Sequence, residues 1–89
     1  MRIRYEDEAE DDLLKAIDFG IENDLPAPVG FVIQLRERIA TLATQPKSGK
    51  KGRESGTQEW PLAGTVYNVV YRVTADEIQV LRVVPPWTP

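Results

Sequence analysis

Alternating apolar and polar residues in the C-terminal part of the chain predict a β-hairpin. Two runs, Val66–Val73 and Glu77–Val84, are rich in β-branched and aromatic residues, and a short stretch at 74–76 separates them. Such runs on either side of a turn are typical of two antiparallel strands. The rest of the chain is expected to be organised around this hairpin.

The register of the hairpin follows if Ala75 and Asp76 form its loop. Val73 then pairs with Ile78, Tyr71 with Val80, and Val69 with Arg82. Because side chains alternate between the faces of a strand, one face carries Val69, Tyr71, Val73, Ile78 and Val80, and the other carries Val70, Leu81 and Val83. Arg72 and Arg82 fall on opposite faces, so they do not share a phosphate unless a β-bulge intervenes.

The N-terminal half has the spacing of two amphipathic helices. In Glu6–Asn23 the apolar stripe contains Ala9, Leu13, Ile17 and Ile21, widened by Ala16 and Gly20. In about Ala27–Thr44 it contains Phe31, Leu35, Ile39 and Leu42. This spacing predicts two helices joined by a short break. Gly20 and Gly30 lie on either side of the break, which predicts either that the helices approach closely there or that both glycines lie near frayed helix ends, where glycine costs little.

Shorter segments complete the predicted architecture. Met1–Tyr5 is predicted to be an edge strand, Pro46–Gly56 a loop, and Thr57–Ala63 a strand that Pro61 places at an edge or a bulge. The order is therefore β-α-α-β-β-β, an α+β fold with a helical hairpin packed on one face of a mostly antiparallel sheet. With 89 residues, the chain is expected to form a single domain, residues 1–89. Trp87 in the proline-rich tail either covers the core or forms an exposed end.

The predicted hairpin carries more apolar surface than two helices can cover. Val70, Leu81 and Val83 are expected to point away from the helices. An exposed apolar sheet face usually awaits a partner, and strand addition or an amphipathic helix is the usual way to cover it. We therefore expect a protein partner on this face and on the flank of the helical hairpin.

Composition excludes several classes of site. The chain has no cysteine and no histidine, which removes disulfides, thiolate chemistry and the usual neutral-pH general base. The acidic residues of the first helix are explained by its dipole and are expected to splay apart, so we expect no metal and no cofactor. No apolar run approaches the roughly 20 residues of a membrane span, and no signal-peptide pattern is present. A cytoplasmic protein without membrane contact is expected.

The net charge of −3 conceals an asymmetry. Residues 1–24 hold nine of the fourteen acidic residues, whereas the remainder is net basic. Lys47, Lys50, Lys51 and Arg53 fall in one loop. An acidic chain argues against tight, autonomous nucleic-acid binding, so the basic loop is either a solvated surface or a local patch that docks on an acidic protein or a phosphate.

Several short motifs occur in an order and spacing that resemble those of a known protein family. They are Asp12-Leu13 with Ile17, Phe31 with Leu35 and Arg38-Ile39, Gly52-Arg53, Gly56-Thr57-Gln58-Glu59, Val70-Tyr71-Arg72-Val73, and Leu81-Arg82-Val83. Together they resemble the ParE branch of the RelE/ParE toxin superfamily of bacterial toxin–antitoxin systems, over nearly the whole chain.

The resemblance implies a toxin that binds DNA gyrase, poisons its cleavage complex, and is neutralised by a cognate antitoxin. It implies contact with operator DNA only through the antitoxin. No residue is assigned a catalytic role. The residues assigned to target binding are Lys50, Lys51, Arg53, Gln58, Glu59, Arg72, Arg82 and Trp87, and those assigned to antitoxin binding are Val70, Leu81 and Val83.

The chain departs from the family pattern at its end. The family commonly has Arg or Lys where Gln58 stands, and often a histidine and basic residues after the strand that ends here at Val84. RelE-like nucleases rely on basic, His or Tyr groups, several of them near this end, and arginine is a poor base because it is essentially always protonated. The sequence therefore favours a binding toxin. The alternatives are a RelE-like mRNA endonuclease with an arginine-based site, and a degenerate member that only binds antitoxin.

Overall fold

Two helices cover one face of a five-stranded sheet in the computed structural model, which describes residues 1–89. The elements are β1 (Arg2–Tyr5), α1 (Asp7–Glu22), α2 (Pro28–Ala40) with a 3₁₀ turn at Thr41–Ala43, β2 (Lys50–Lys51), β3 (Gln58–Pro61), β4 (Asn68–Val73) and β5 (Glu77–Val84). The strand order is β1-β5-β4-β3-β2; β1 runs parallel to β5 and the other neighbours are antiparallel.

This architecture confirms the predicted α+β fold with a helical hairpin on a mostly antiparallel sheet. Strand β1 lies at an edge, as expected. The predicted loop Pro46–Gly56 contains one further strand, β2, whose two residues pair with Glu59 and Gln58 of β3. No helix is long and apolar enough to cross a bilayer.

The core lies between the helices and the strands β4 and β5. Its helical part consists of Ala9, Leu13, Ala16, Val32, Leu35, Ile39 and Leu42, and its strand part includes Val69, Tyr71, Ile78 and Val80. Ile21 was expected in the stripe of the first helix but is 60% exposed. Residues spaced strictly by four drift about 40° per step around a helix of 3.6 residues per turn, so a stripe that starts at Ala9 has left the core face by Ile21.

The turn between the helices brings Gly20 against α2. A Cβ atom on Gly20 would lie 2.7 Å from the Cβ of Pro28, closer than two carbon atoms can pack. The predicted close approach is therefore confirmed at Gly20. At Gly30 it is wrong, because the nearest atom, the Cβ of Ala27, would be at an ordinary 3.6 Å.

A β-bulge changes the end of the central hairpin. Val73 pairs with Ile78 and Tyr71 with Val80, as expected, but the register then shifts: Val70 pairs with Arg82 and Val69 with Val83. The predicted pairing of Val69 with Arg82 is therefore wrong. Leu81 is the extra residue, and each residue after it in β5 changes face because side chains alternate with a period of two.

The bulge also corrects the predicted outward face. Val83 was expected there, but it belongs to the core and is 1% exposed. Val70 and Leu81 are partly exposed. Arg82 now pairs with Val70. Arg72 lies two residues after Val70 on β4, so Arg72 and Arg82 share a face of the sheet. The two arginines are therefore not on opposite faces.

Candidate functional site

The basic loop, β3 and the C-terminal tail border a cleft of about 460 Å³. Five of the eight residues assigned to target binding line it: Lys50, Lys51, Arg53, Glu59 and Trp87. Tyr67 and Asn68 line it as well. We refer to these seven residues as the basic cleft.

Glu59 organises one wall of the basic cleft. Its Oε2 accepts the backbone N–H of Arg53 at 2.9 Å and lies 3.4 Å from the Nε of the same arginine, while its Oε1 accepts the amide of Asn68 at 2.8 Å. The backbone hydrogen bond from Arg53 lowers the pKa of Glu59, and the amide of Asn68 adds to this effect. Glu59 is therefore held as a carboxylate, and it holds Arg53 in place.

Asn68 has an unsatisfied acceptor in this wall. Its side chain is 3% exposed, and because its amide nitrogen faces Glu59, its Oδ1 is left without a hydrogen-bond partner. Buried polar atoms in native proteins nearly always have a partner. The sequence showed no signal for this residue beyond its place on the predicted strand.

Groups without an ion-pair or hydrogen-bond partner also border the cleft, and one of them, Lys50, lies directly across from Glu59 in the β2–β3 ladder. Lys50 and Lys51 are exposed, and neither ammonium group takes part in an ion pair or hydrogen bond within the chain. Trp87 is 73% exposed at the rim. Of the two positions considered for Trp87, the structure therefore shows the exposed end.

Buried Tyr71 anchors the loop that presents the lysines. Its hydroxyl donates to the carbonyl oxygen of Pro46 at 2.8 Å and accepts the backbone N–H of Gly49 at 2.8 Å. A Cβ atom on Gly49 would lie 2.7 Å from that hydroxyl oxygen, so a larger residue would displace the loop. The sequence pattern predicts Tyr71 on the helix-facing side of the hairpin, but it carries no signal that the hydroxyl reaches the loop.

Arg82 lies outside the basic cleft, in a corner formed by α1 and β5. Its Nε and one terminal nitrogen donate to the two carboxylate oxygens of Asp12 at 2.8 and 3.0 Å, and Glu8 lies 3.6 Å from its other terminal nitrogen. Asp12 also accepts the backbone N–H of Val83 at 2.9 Å. Hydrogen bonding to Asp12 raises the pKa of Arg82. We refer to Glu8, Asp12, Arg82 and Val83 as the α1–β5 corner.

This corner changes the interpretation of two residues. Asp12 was attributed to the helix dipole, but it is buried and bonds to β5. Arg82 was assigned to target binding, but the structure gives it a structural partner. That partner is Asp12, whereas Glu59 is bound by Arg53.

The remaining candidates lie beside the cleft. Gln58 pairs with Tyr71 across the sheet, and its Oε1 is buried without a partner. Arg72 is exposed and makes no ion pair. Val70 and Leu81 line a second groove of about 250 Å³ together with Arg82. No group of three or more acidic residues converges as metal ligands would.

Comparison with known proteins identifies the family. A sequence model of the ParE toxin of type II toxin–antitoxin systems, parDE, matches residues 3–85. The chain belongs to the ParE toxin family. No curated protein sequence matches it.

Solved structures share the ParE-family fold of this chain. A chain of a chromosomal ParDE TA system from P. aeruginosa superposes with a TM-score of 0.86 at 22% identity, covering 96% of this chain and 95% of that one. A chain of the RelBE2 toxin–antitoxin complex from Mycobacterium tuberculosis gives 0.69 at 23% identity, covering 94% and 95%. A YafQ mutant from E. coli gives 0.58 at 11% identity, covering 97% and 94%. At these identities the comparisons show the fold alone.

Proposed function

We propose that this ParE-family protein is a toxin that inhibits DNA gyrase by binding it, and that a cognate antitoxin neutralises it. Family membership supports the toxin class, and the resemblance of the sequence to the ParE branch supports gyrase as the target. The observation that carries the mode of action is the basic cleft, which offers unpaired charge and an exposed aromatic ring but no group suited to proton transfer.

The titratable groups of the cleft explain why binding is favoured over catalysis. A general base for RNA cleavage works best with a pKa near the working pH. The pKa of Glu59 is lowered by its hydrogen bonds, and burial raises the pKa of Tyr67. These shifts move both groups away from neutrality, and the chain has no histidine or cysteine to take their place.

The unpaired groups are suited to contact with a large partner. Tryptophan is enriched among the residues that dominate binding energy at protein interfaces, and Trp87 is exposed. Lys50 and Lys51 keep their charge available because no carboxylate of the chain pairs with them. Charges of this kind steer association and make it sensitive to salt.

The antitoxin is proposed to cover apolar surface elsewhere. The structure exposes Leu14, Phe19, Ile21, Leu25, Val29 and Ile33 on the helical hairpin and its turn, so the surplus apolar surface lies mainly on the helices. Val70 and Leu81 provide a smaller patch on the sheet, without Val83. Because the chain is acidic as a whole, we propose that it contacts operator DNA only through the antitoxin.

Two assays with the purified protein test the function. Inhibition of gyrase supercoiling, with accumulation of cleaved DNA, is expected, and ribosome-dependent mRNA cleavage is not. The variant Lys50→Glu/Lys51→Glu should weaken gyrase inhibition. Lys47→Glu, in the same loop but outside the cleft, is the matched control for each of the single variants Lys50→Glu and Lys51→Glu.

The outcomes separate the alternatives. Cleavage of mRNA on ribosomes that is lost in Arg53→Ala would identify a nuclease and contradict the proposal. Absence of growth arrest and of both activities, with antitoxin binding retained, would identify a degenerate member.

A further inference from the structure

The basic cleft combines three features that are not explained by the fold. They are the unpaired ammonium groups of Lys50 and Lys51, the exposed ring of Trp87, and the unsatisfied Oδ1 of Asn68. Each feature has room for a different partner. The lysines can bind a negative charge, the ring can stack on a flat apolar surface, and the Asn68 Oδ1 can accept from a hydrogen-bond donor. A nucleotide within a strand provides all three groups on one monomer.

The positive charge is local and is kept apart from the acidic part of the chain. The acidic residues of α1 lie on a helix that packs against β5, whereas Lys50 and Lys51 form β2 at the far edge of the sheet. Strands β4 and β3 lie between these two regions. The −3 charge of the whole chain therefore does not neutralise the cleft, although it limits how tightly a polyanion binds.

The aromatic ring distinguishes a nucleic acid strand from a simple anion. Proteins that bind single strands combine a positive groove with aromatic side chains on which bases stack, and stacking tolerates any base. A paired duplex keeps its bases inside the helix and offers no free face to Trp87. The cleft volume of about 460 Å³ is within the range of about 300–1,000 Å³ that is usual for small-molecule sites, which accommodates one nucleotide and not a duplex.

Asn68 adds a group that recognises a donor. Its Oδ1 accepts hydrogen bonds and its amide nitrogen is occupied by Glu59. Exocyclic amino groups of bases are donors of the matching kind. The Asn68 Oδ1 atom is buried and has no partner. The cleft wall must therefore shift slightly before a base can reach this atom.

We infer that the basic cleft binds a short single-stranded segment of DNA, with phosphates on Lys50 and Lys51 and one base stacked on Trp87. This inference rests on the proposed function and deepens it, because gyrase cleavage complexes contain cut DNA strands. The toxin then contacts the DNA of the complex as well as the enzyme.

Fluorescence anisotropy of a labelled oligodeoxycytidylate of about eight nucleotides, within the site sizes of single-strand binders and with an exocyclic amino group on every base, tests the inference without gyrase. Wild-type protein should give saturable binding whose affinity falls with salt, with a slope in log–log form of about −1.4 for two phosphate contacts. Lys50→Glu/Lys51→Glu should abolish binding, and Lys47→Glu should leave it nearly unchanged.

The aromatic contact is tested separately. Trp87→Ala should weaken binding about tenfold or more, the scale of one lost base–aromatic stack, whereas Trp87→Phe should retain most of it. Because Trp87 is exposed, neither change should alter folding, which far-ultraviolet circular dichroism checks. The same oligonucleotide as a duplex should bind more weakly.

Several results would overturn the inference. They are the absence of saturable binding, affinity that does not change in Trp87→Ala, equal affinity for the duplex, and equal competition by oligoglutamate, which would identify an acidic protein surface as the ligand. If gyrase is inhibited but the oligonucleotide does not bind, only this inference fails. If an RNA of the same sequence is bound better and mRNA is cut on ribosomes, the proposed function fails too.

Discussion

The α1–β5 corner and the basic cleft use arginine and lysine in opposite ways. In the corner, Arg82 gives its hydrogen-bond donors to Asp12 and its remaining nitrogen lies near Glu8. In the cleft, Lys50 and Lys51 have no partner within the chain. Both regions contain residues that the family resemblance assigns to target binding, so residue type alone does not separate them.

This difference shows which charged residues stabilise the fold and which are free to bind a partner. A charge that leaves water needs close partners to offset its desolvation, and the buried carboxylate of Asp12 has three donors. A charge at the surface loses little by remaining unpaired, so it persists without a structural role. An unpaired lysine beside an exposed tryptophan therefore points to an external partner, whereas a bidentate arginine points to the stability of the fold.

Val83→Asp should produce the largest loss of stability. It tests whether the α1–β5 corner is part of the core. A carboxylate at this buried position would be unpaired, and we expect a loss of about 4 kcal/mol or more of unfolding free energy. Urea denaturation followed by circular dichroism measures it. Leu81→Asp is the control at the bulge and should lose far less; similar losses at both positions would mean that the bulge does not separate their environments.

Asp12→Ala should have the next largest effect. It leaves the Val83 N–H and the Arg82 guanidinium without their acceptor, and we expect a loss of about 2–3 kcal/mol, toward the lower end because Arg82 is about one third exposed. Glu8→Ala, at the exposed end of the same corner, should change stability by less than about 0.5 kcal/mol. Equal effects of the two substitutions in urea denaturation would show that the corner is not a buried pair.

Charge reversal at Lys50 and Lys51 should affect binding to the target more than the stability of the fold. We expect the unfolding free energy to fall by no more than about 1 kcal/mol, because a glutamate at position 50 lies across from Glu59, and the association rate with the target to fall about tenfold at low ionic strength. Surface plasmon resonance at two salt concentrations measures the rate. A loss of stability without a change in association would reverse the roles of the two regions.

The smallest effect concerns pH. The lowered pKa of Glu59 means that its stabilising contribution is present above the ordinary carboxylate pKa of 4.5 and is lost as pH falls through the lower folded value. Glu59→Gln should therefore make stability less dependent on pH in this acidic range. Denaturation from pH 7 downward measures this, with exposed Glu54→Gln as the control; an unchanged pH dependence in Glu59→Gln would show that the hydrogen bonds to Glu59 do not stabilise the fold.

Most of the fold could be predicted because its signals are local. The bounds of β5 agree with the prediction to the residue, since both ends of its apolar run are marked by polar or proline residues. The bulge at Leu81 was not predicted, because one extra residue within an apolar strand leaves the composition unchanged. Strand β2 was missed because its two lysines owe their extended shape to pairing with β3.

The candidate site was predictable in composition but not in arrangement. Exposed lysines and a terminal tryptophan could be placed on the surface from their chemistry. Asp12 and Arg82 are 70 residues apart in the sequence, and only the packing of α1 on β5 brings them together. The same holds for the Tyr71 hydroxyl, which reaches a loop 22 residues earlier at Gly49.

The pairing of β1 with β5 has a consequence for how the protein is made. Residues 2–5 form a parallel ladder with residues 77–80, so the N-terminal strand has no partner until nearly the whole domain has left the ribosome. Contacts between distant segments are slow to form because the loop between them must first close. The nascent chain therefore cannot acquire the native sheet during most of its synthesis. A fold built this way is completed only after residues 77–80 have been synthesised and can pair with the first strand.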